Sequence, residues 1–183
     1  MRGPLTPTAF ALAWLLVLVA YGFQGIVPAF NADDVMQMQN PHDVHAILAQ
    51  GRWGYAWLFG VVQDSAYLPL LSTAVGALLL CCTAAIAAAV LGFELTVSRF
   101  AFVVVASVSA YYGELFSYDS TRVAVPLGNL AAVLGLAWAV RGRRVTGTVV
   151  MALAPAFYPA ASELAATVLV AYALRRCARR DAP

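Results

Sequence analysis

Two adjacent carboxylates, Asp33 and Asp34, follow an apolar run in the order Phe30-Asn31-Ala32-Asp33-Asp34. Neighbouring acids repel, so one of the pair is expected to be able to take up a proton near neutral pH, as a general base must. The same pair could equally cap a helix or turn a solvated loop, positions that Asp favours. Gly51-Arg52-Trp53 closes the same polar stretch and offers a guanidinium, well matched to a phosphate, beside an aromatic platform. A second polar segment, Glu114 to Arg122, brings Tyr118, another acid at Asp119 and another arginine at Arg122. Pro155-Ala156-Phe157-Tyr158-Pro159 then interrupts an apolar stretch, and irregular backbone at membrane depth is tolerated where it lines a protein cavity. These pieces describe an outward-facing polar pocket over a lipid. His42 and His45 flank Asp43, but two imidazoles and one acid are an incomplete ligand set, so they are read as solvated or interfacial and no metal is assigned. No nucleophile motif, phosphate-cradling glycine loop or basic nucleic-acid stripe is present.

The elements that must position these residues are membrane helices. Of the 183 residues 62% are hydrophobic and 11% charged, against roughly 25% charged in an average soluble domain. Mean hydropathy is +0.79. A soluble core could not hide that much apolar surface, whereas lipid accepts apolar side chains on every face of a helix that satisfies its own backbone. At about 20 apolar residues per crossing there is room for five or six spans in one all-α bundle covering residues 1–183. The first is expected over Thr8 to Phe30, with a cleaved signal peptide at Ala20-Tyr21-Gly22 as the competing reading. Further spans are expected over Tyr67 to Leu91, Val97 to Tyr112 and Val123 to Val140. Residues 145–174 read as a broken helical hairpin turning near Pro159 to Glu163.

Between the first two spans lies the polar loop 31–65, and residues 113–122 form a second one. Pro41 to Gln50 reads as a short amphipathic helix with Asn40 as its N-cap, and Arg52 to Val62 carries the aromatic enrichment of a membrane interface. Every basic residue is arginine. Six spans with a cytoplasmic N-terminus gather Arg2, Arg99, Arg141, Arg143, Arg144, Arg175, Arg176, Arg179 and Arg180 on the cytoplasmic side and leave Arg52 and Arg122 outside, as the positive-inside rule asks. The expected location is the bacterial plasma membrane. Cys81, Cys82 and Cys177 make neither a disulfide framework nor a metal spacing, and the Cys81-Cys82 pair suits close helix packing.

The order of a first span, Asn31-Ala32-Asp33-Asp34, an amphipathic helix, Gly51-Arg52-Trp53, further spans, Tyr118-Asp119-Ser120 and a broken helix with Phe157-Tyr158 resembles the bacterial serotype-converting glucosyltransferase II family. The resemblance covers nearly the whole chain. It implies a type C glycosyltransferase-like architecture and transfer of a sugar, glucose in the first instance, from a polyprenyl-phosphate donor to a surface glycan such as O-antigen on the extracytoplasmic face. It also implies catalytic roles for Asp33 and Asp34 and substrate binding by Arg52, Tyr118 and Asp119, to which the polar pocket read from the residues adds Trp53, Arg122 and Tyr158. The partners implied are the lipid-linked donor, the glycan acceptor and membrane lipids, with no nucleic acid and no cofactor. Where the family often carries Arg three residues after the acidic pair, Gln37 stands here. Members are commonly more than twice this length, so the chain is expected to match an N-terminal half, with a partner chain supplying further spans. The alternative expectation is a non-catalytic membrane subunit that binds a lipid-linked glycan or a second polypeptide. A small transporter ranks behind both, because the middles of the first, second and fourth spans carry no ionisable relay.

Overall fold

The computed structural model describes residues 5–27, 48–58, 60, 68–117 and 121–180, the side chains of Arg179 and Arg180 excepted. Thr6 opens helix α1 (Pro7–Ile26) by accepting a hydrogen bond from the Ala9 N–H at 3.2 Å, and Pro7 fills the first turn, where an N–H has no helical partner. After the short helix α2 (Trp53–Trp57) comes α3 (Pro69–Leu91). Gly92 ends α3 in the left-handed region at φ 70°, which lets the Phe93 N–H reach back to the Ala88 carbonyl at 3.1 Å. Helices α4 (Thr96–Ser107), α5 (Ala110–Leu115), α6 (Thr121–Val140) and α7 (Arg144–Leu153) follow. A 3-10 turn over Ala154–Ala156 leads into α8 (Ala161–Arg180). The expected all-α bundle is therefore observed, with no strand among the described residues.

The chain shuttles between two ends of the bundle. Gln24 at the end of α1, Pro69 at the start of α3 and Arg122 at the start of α6 meet at one end, called here the loop end. At the other, the arginine end, Arg175 of α8 donates to the Leu91 and Gly92 carbonyls, the latter at 2.9 Å, and Arg99 donates to the Phe93 carbonyl at 2.5 Å. Among the described residues three helices are long and apolar enough to cross a membrane: Pro7–Ile26, Pro69–Leu91 and Thr121–Val140. The other passes are shorter or, in α8, charged at both ends. Side chains such as Val19 at 81% and Phe23 at 70% exposure face outward on α1, as lipid permits and water would not. The protein is a helical membrane protein.

Alanine, glycine and cysteine make the packing close. Cys81 and Ala77 of α3 are wholly buried against Ala13 and Val17 of α1 and Val103 of α4, the close packing expected at that pair, and all three cysteines are free. α6 and α7 touch backbone to backbone. A Cβ on Gly135 would lie 2.6 Å from the Gly147 carbonyl oxygen, and one on Gly147 2.6 Å from the Ala139 nitrogen.

Two expectations change. The run Val97 to Tyr112 is not one span, because α4 stops at Ser107 and α5 begins at Ala110, capped by Ser109, whose hydroxyl accepts from the Tyr112 N–H at 3.3 Å. Such a break inside an apolar bundle leaves backbone groups to satisfy, and Tyr21 of α1 satisfies two: its hydroxyl donates to the Ser107 carbonyl at 2.8 Å and accepts from the Ser109 N–H at 3.2 Å. That bond, and the stacking of the Tyr21 ring on Phe116 at 4.5 Å between centroids, build Tyr21 into the core. The break of the last hairpin is observed, but it starts earlier than Pro159, at Ala154, where Pro155 lacks the N–H a helix needs; α7 and α8 pack mainly on α6 instead of on each other. Of the expected amphipathic helix 41–50, only Leu48, Ala49 and Gln50 lie within the described residues.

Candidate functional site

Two motifs more than a hundred positions apart in sequence come together at the loop end. Gly51 takes a left-handed φ of 74°, closing a turn in which its N–H donates to the Leu48 carbonyl at 2.9 Å. The turn leaves Arg52 at the head of α2. Gly54, one residue past Trp53, lies flat on the 3-10 turn: a Cβ there would sit 3.2 Å from the carbonyl carbon and oxygen of Ala156. The broken helix is thus the seat of the Gly51-Arg52-Trp53 segment.

Arg52 lies over the ring of Tyr158, its guanidinium carbon 5.0 Å from the ring centroid. The ring quadrupole attracts the cation and holds the plane of the fork. Its Nε is buried and makes no hydrogen bond among the described residues. A buried charged donor without an acceptor is costly, so an acceptor group from a ligand or from the loops is the natural complement. Trp53 and Trp57, one helical turn apart on α2, are 53% and 54% exposed, while Tyr55 between them is buried. Trp53 therefore keeps about half of its surface accessible, one position after Arg52.

Sequence reasoning missed two neighbours. Tyr111, on α5 beyond the α4 span, interacts with the Tyr158 hydroxyl. Glu163, exposed at the start of α8, lies close enough to add its own charge to the same environment. Gln24 is the second miss: its side-chain amide donates to the Gly113 carbonyl at 2.9 Å, while its Oε1 is buried with no partner among the described residues. The signal for Gln24 was available, as it is the one amide side chain inside the first apolar run.

Arg122 sits at the same end. It is wholly buried, and it donates from Nε to the Phe116 carbonyl at 2.6 Å, from Nη1 to Pro69 at 3.2 Å and from Nη2 to Gln24 at 3.1 Å. These three bonds tie α1, α3 and the α5–α6 connection together. An arginine in the first turn of a helix opposes the helix dipole, which already hinted at a task away from its own helix. Asp33, Asp34, Tyr118 and Asp119, with His42 and His45, lie outside the described residues. The chain enters α6 three residues after Tyr118 and α2 directly after Arg52, so the elements that carry the two loops share this end.

The described site is thus a stacked arginine with a buried orphan donor, an exposed tryptophan and a pair of interacting tyrosines, on an irregular stretch of backbone at one end of a membrane bundle. No curated protein and no solved structure matches the chain. A family model described as Glucosyl transferase GtrII matches residues 22–182, a stretch that includes α2, the broken helix and both polar loops. With most of its length matched, the chain belongs to the glucosyl transferase GtrII family.

Proposed function

We propose that this protein transfers a glucosyl group from a polyprenyl-phosphate donor to a hydroxyl of a surface glycan, at the extracytoplasmic face of the bacterial plasma membrane. Membership of a glucosyl transferase family supports the reaction class. The observation that carries the donor assignment is Arg52: a guanidinium fixed on Tyr158, with a buried Nε lacking an acceptor among the described residues, suits the phosphate of a lipid whose tail stays in the membrane. The acceptor oxygen attacks the anomeric carbon, and the bond from that carbon to the phosphate oxygen breaks. The hydroxyl proton passes to a carboxylate of the Asp33–Asp34 pair, and the polyprenyl phosphate leaves with the bonding electrons.

Arg52 stabilises the charge that grows on the departing phosphate, which in a water-poor site contributes about 10² to 10³ in rate. General base assistance contributes about 10² to 10⁴. Trp53 and Tyr158 offer aromatic faces to the sugar, and Tyr118 and Asp119 are assigned to sugar binding. Arg122 shapes the end of the bundle on which this chemistry occurs. The arginine end then faces the cytoplasm, with the N-terminus on that side.

The test is glucosyl transfer from polyprenyl-phosphate glucose in membranes carrying this chain alone, beside Asp33→Asn, Asp34→Asn and Arg52→Ala. Loss of transfer in either carboxamide variant, with the protein still inserted and folded, supports the assignment. No transfer by the unaltered, folded chain overturns it, and would leave a subunit that binds a lipid-linked glycan without turning it over.

A further inference from the structure

Midway along the bundle, α4 and α8 both pack on α3 and scarcely on each other, and between them a slot of about 70 Å³ opens in the wall. Phe102 and Ala106 of α4 form one side, Leu164 and Val168 of α8 the other, and Ala84 and Ala87 of α3 the floor. The slot runs along α3 from Leu80 to Ala87, about 10 Å at the rise of a helix. Its two polar side chains already have partners. The Thr83 hydroxyl donates to the Leu79 carbonyl at 2.8 Å, and the Tyr112 hydroxyl accepts from the Asn129 amide at 3.1 Å. Nothing in the lining calls for a polar occupant, and a cavity of that kind stays dry.

The side of the slot nearer the loop end leads to Arg52. Tyr112 lies beside Tyr111, with ring centroids 5.5 Å apart, Tyr111 interacts with the Tyr158 hydroxyl, and Arg52 stacks on Tyr158. Along α6, Ala124, which packs with Tyr55 of α2, and Val133, which lines the slot, are about 13 Å apart at the rise of a helix. We infer that the slot holds the prenyl chain of the donor, at about its third isoprene unit, while the phosphate lies on Arg52. The inference rests on the donor proposed above and says where in the protein its tail runs. An extended carbon chain covers that distance within about three isoprene units. At about 10–15 Å³ for each water-sized group the slot takes about five, the carbon count of one such unit. In a membrane no hydrophobic gain separates a slot from the surrounding lipid, so a free tail has little reason to prefer it. A tail tethered by its phosphate arrives at high effective concentration, and this favours the donor over bulk lipid.

The measurement is photo-crosslinking of the full chain in nanodiscs, using a polyprenyl phosphate with a diazirine on its third isoprene unit, with the labelled residues located by peptide mass spectrometry. The expected labels fall on Phe102, Ala106, Leu164 and Val168; unlabelled polyprenyl phosphate competes them away, and phosphatidylglycerol in equal amount does not. Arg52→Ala loses them by releasing the tether. Ala106→Phe fills the slot from its half-buried rim and loses them as well, whereas Val105→Phe, on the exposed neighbouring face, keeps them. Labels on the outward face of α1, at Val19 and Phe23, as frequent as those in the slot would overturn the site. Equal competition by phosphatidylglycerol, or labels unchanged in Arg52→Ala, would overturn the tethered donor chain as its occupant. If Ala106→Phe fails to fold, the label map and the competition on the unaltered chain decide the same question. Because the readout is binding, slot labelling without transfer would sink the transferase reading alone, and transfer without slot labelling would sink this inference alone.

Discussion

A guanidinium stacked on a tyrosine ring has its plane set, and a fork with a set plane can meet two oxygens at once where an ammonium meets one. Arg52→Lys therefore keeps the charge but is expected to lose about tenfold in kcat, and Arg52→Ala about a hundredfold, with much smaller changes in melting temperature. Tyr158→Phe keeps the ring under the cation and should retain the Arg52 contribution. Tyr158→Ala should approach the Arg52→Lys rate, and equal rates for the Phe and Ala variants would show that the stack is irrelevant. Arg122 obeys another logic. Its removal leaves carbonyls of Phe116, Pro69 and Gln24 without their donor in a buried setting, so Arg122→Gln is expected to cost roughly 3 kcal/mol, read as a lower melting temperature in detergent. The two arginines look alike in the sequence, each the lone cation of a polar loop. What separates them is the location of the nearest free carbonyls, which no spacing rule records.

Interfaces between elements here are made of absences. Pro126 in α6 has no N–H for the Arg122 carbonyl four residues earlier, and that carbonyl rests against Gly76 of α3, where a Cβ would collide with it. Gly76→Ala is expected to destabilise the bundle by about 3 kcal/mol, and a melting curve in detergent unchanged from wild type would refute the contact. Gly54 allows a subtler test. Gly54→Val should lift α2 from the Ala154–Ala156 turn and lower transfer about tenfold by misplacing Arg52, while the melting temperature stays near wild type. At this scale the sequence was partly legible. Pro155 and Pro159 announced the break in the last hairpin, because proline removes a donor wherever it stands. The break after Ser107 was hidden: Ser107-Val108-Ser109 carries no proline or glycine, and the group that stabilises it, the Tyr21 hydroxyl, comes from a helix 86 residues away.

For the molecule as a whole, class was readable from composition, because lipid leaves a chain few ways to hide so many apolar residues. The arginines assigned to one side do gather at one end of the bundle, as Arg99 and Arg175 show through their bonds to the end of α3. The site was legible only in its motifs and in the lone amide of the first apolar run, Gln24, whereas Tyr111 was invisible because its relevance depends on which helix ends meet. Orientation can be measured with a cysteine the chain already owns. Cys177 is exposed near the arginine end, whereas Cys81 is buried. A membrane-impermeant maleimide should label Cys177 only after cells are opened, and Cys177→Ser should abolish that labelling. Labelling in intact cells would reverse the proposed orientation.

The Arg122 clamp also sets an order of events during synthesis. Its guanidinium is made 98 residues after Gln24 and 53 after Pro69, whose carbonyls it closes. At about 5–20 residues per second those helix ends wait several seconds in the membrane before their partner emerges. The loop that bears Asp33 and Asp34 is anchored between these same two ends, at Ile26 and Pro69. A ribosome stalled before Arg122 would leave that loop on an unlatched frame, so transfer competence arrives late in translation, although the acidic pair is among the first polar residues made.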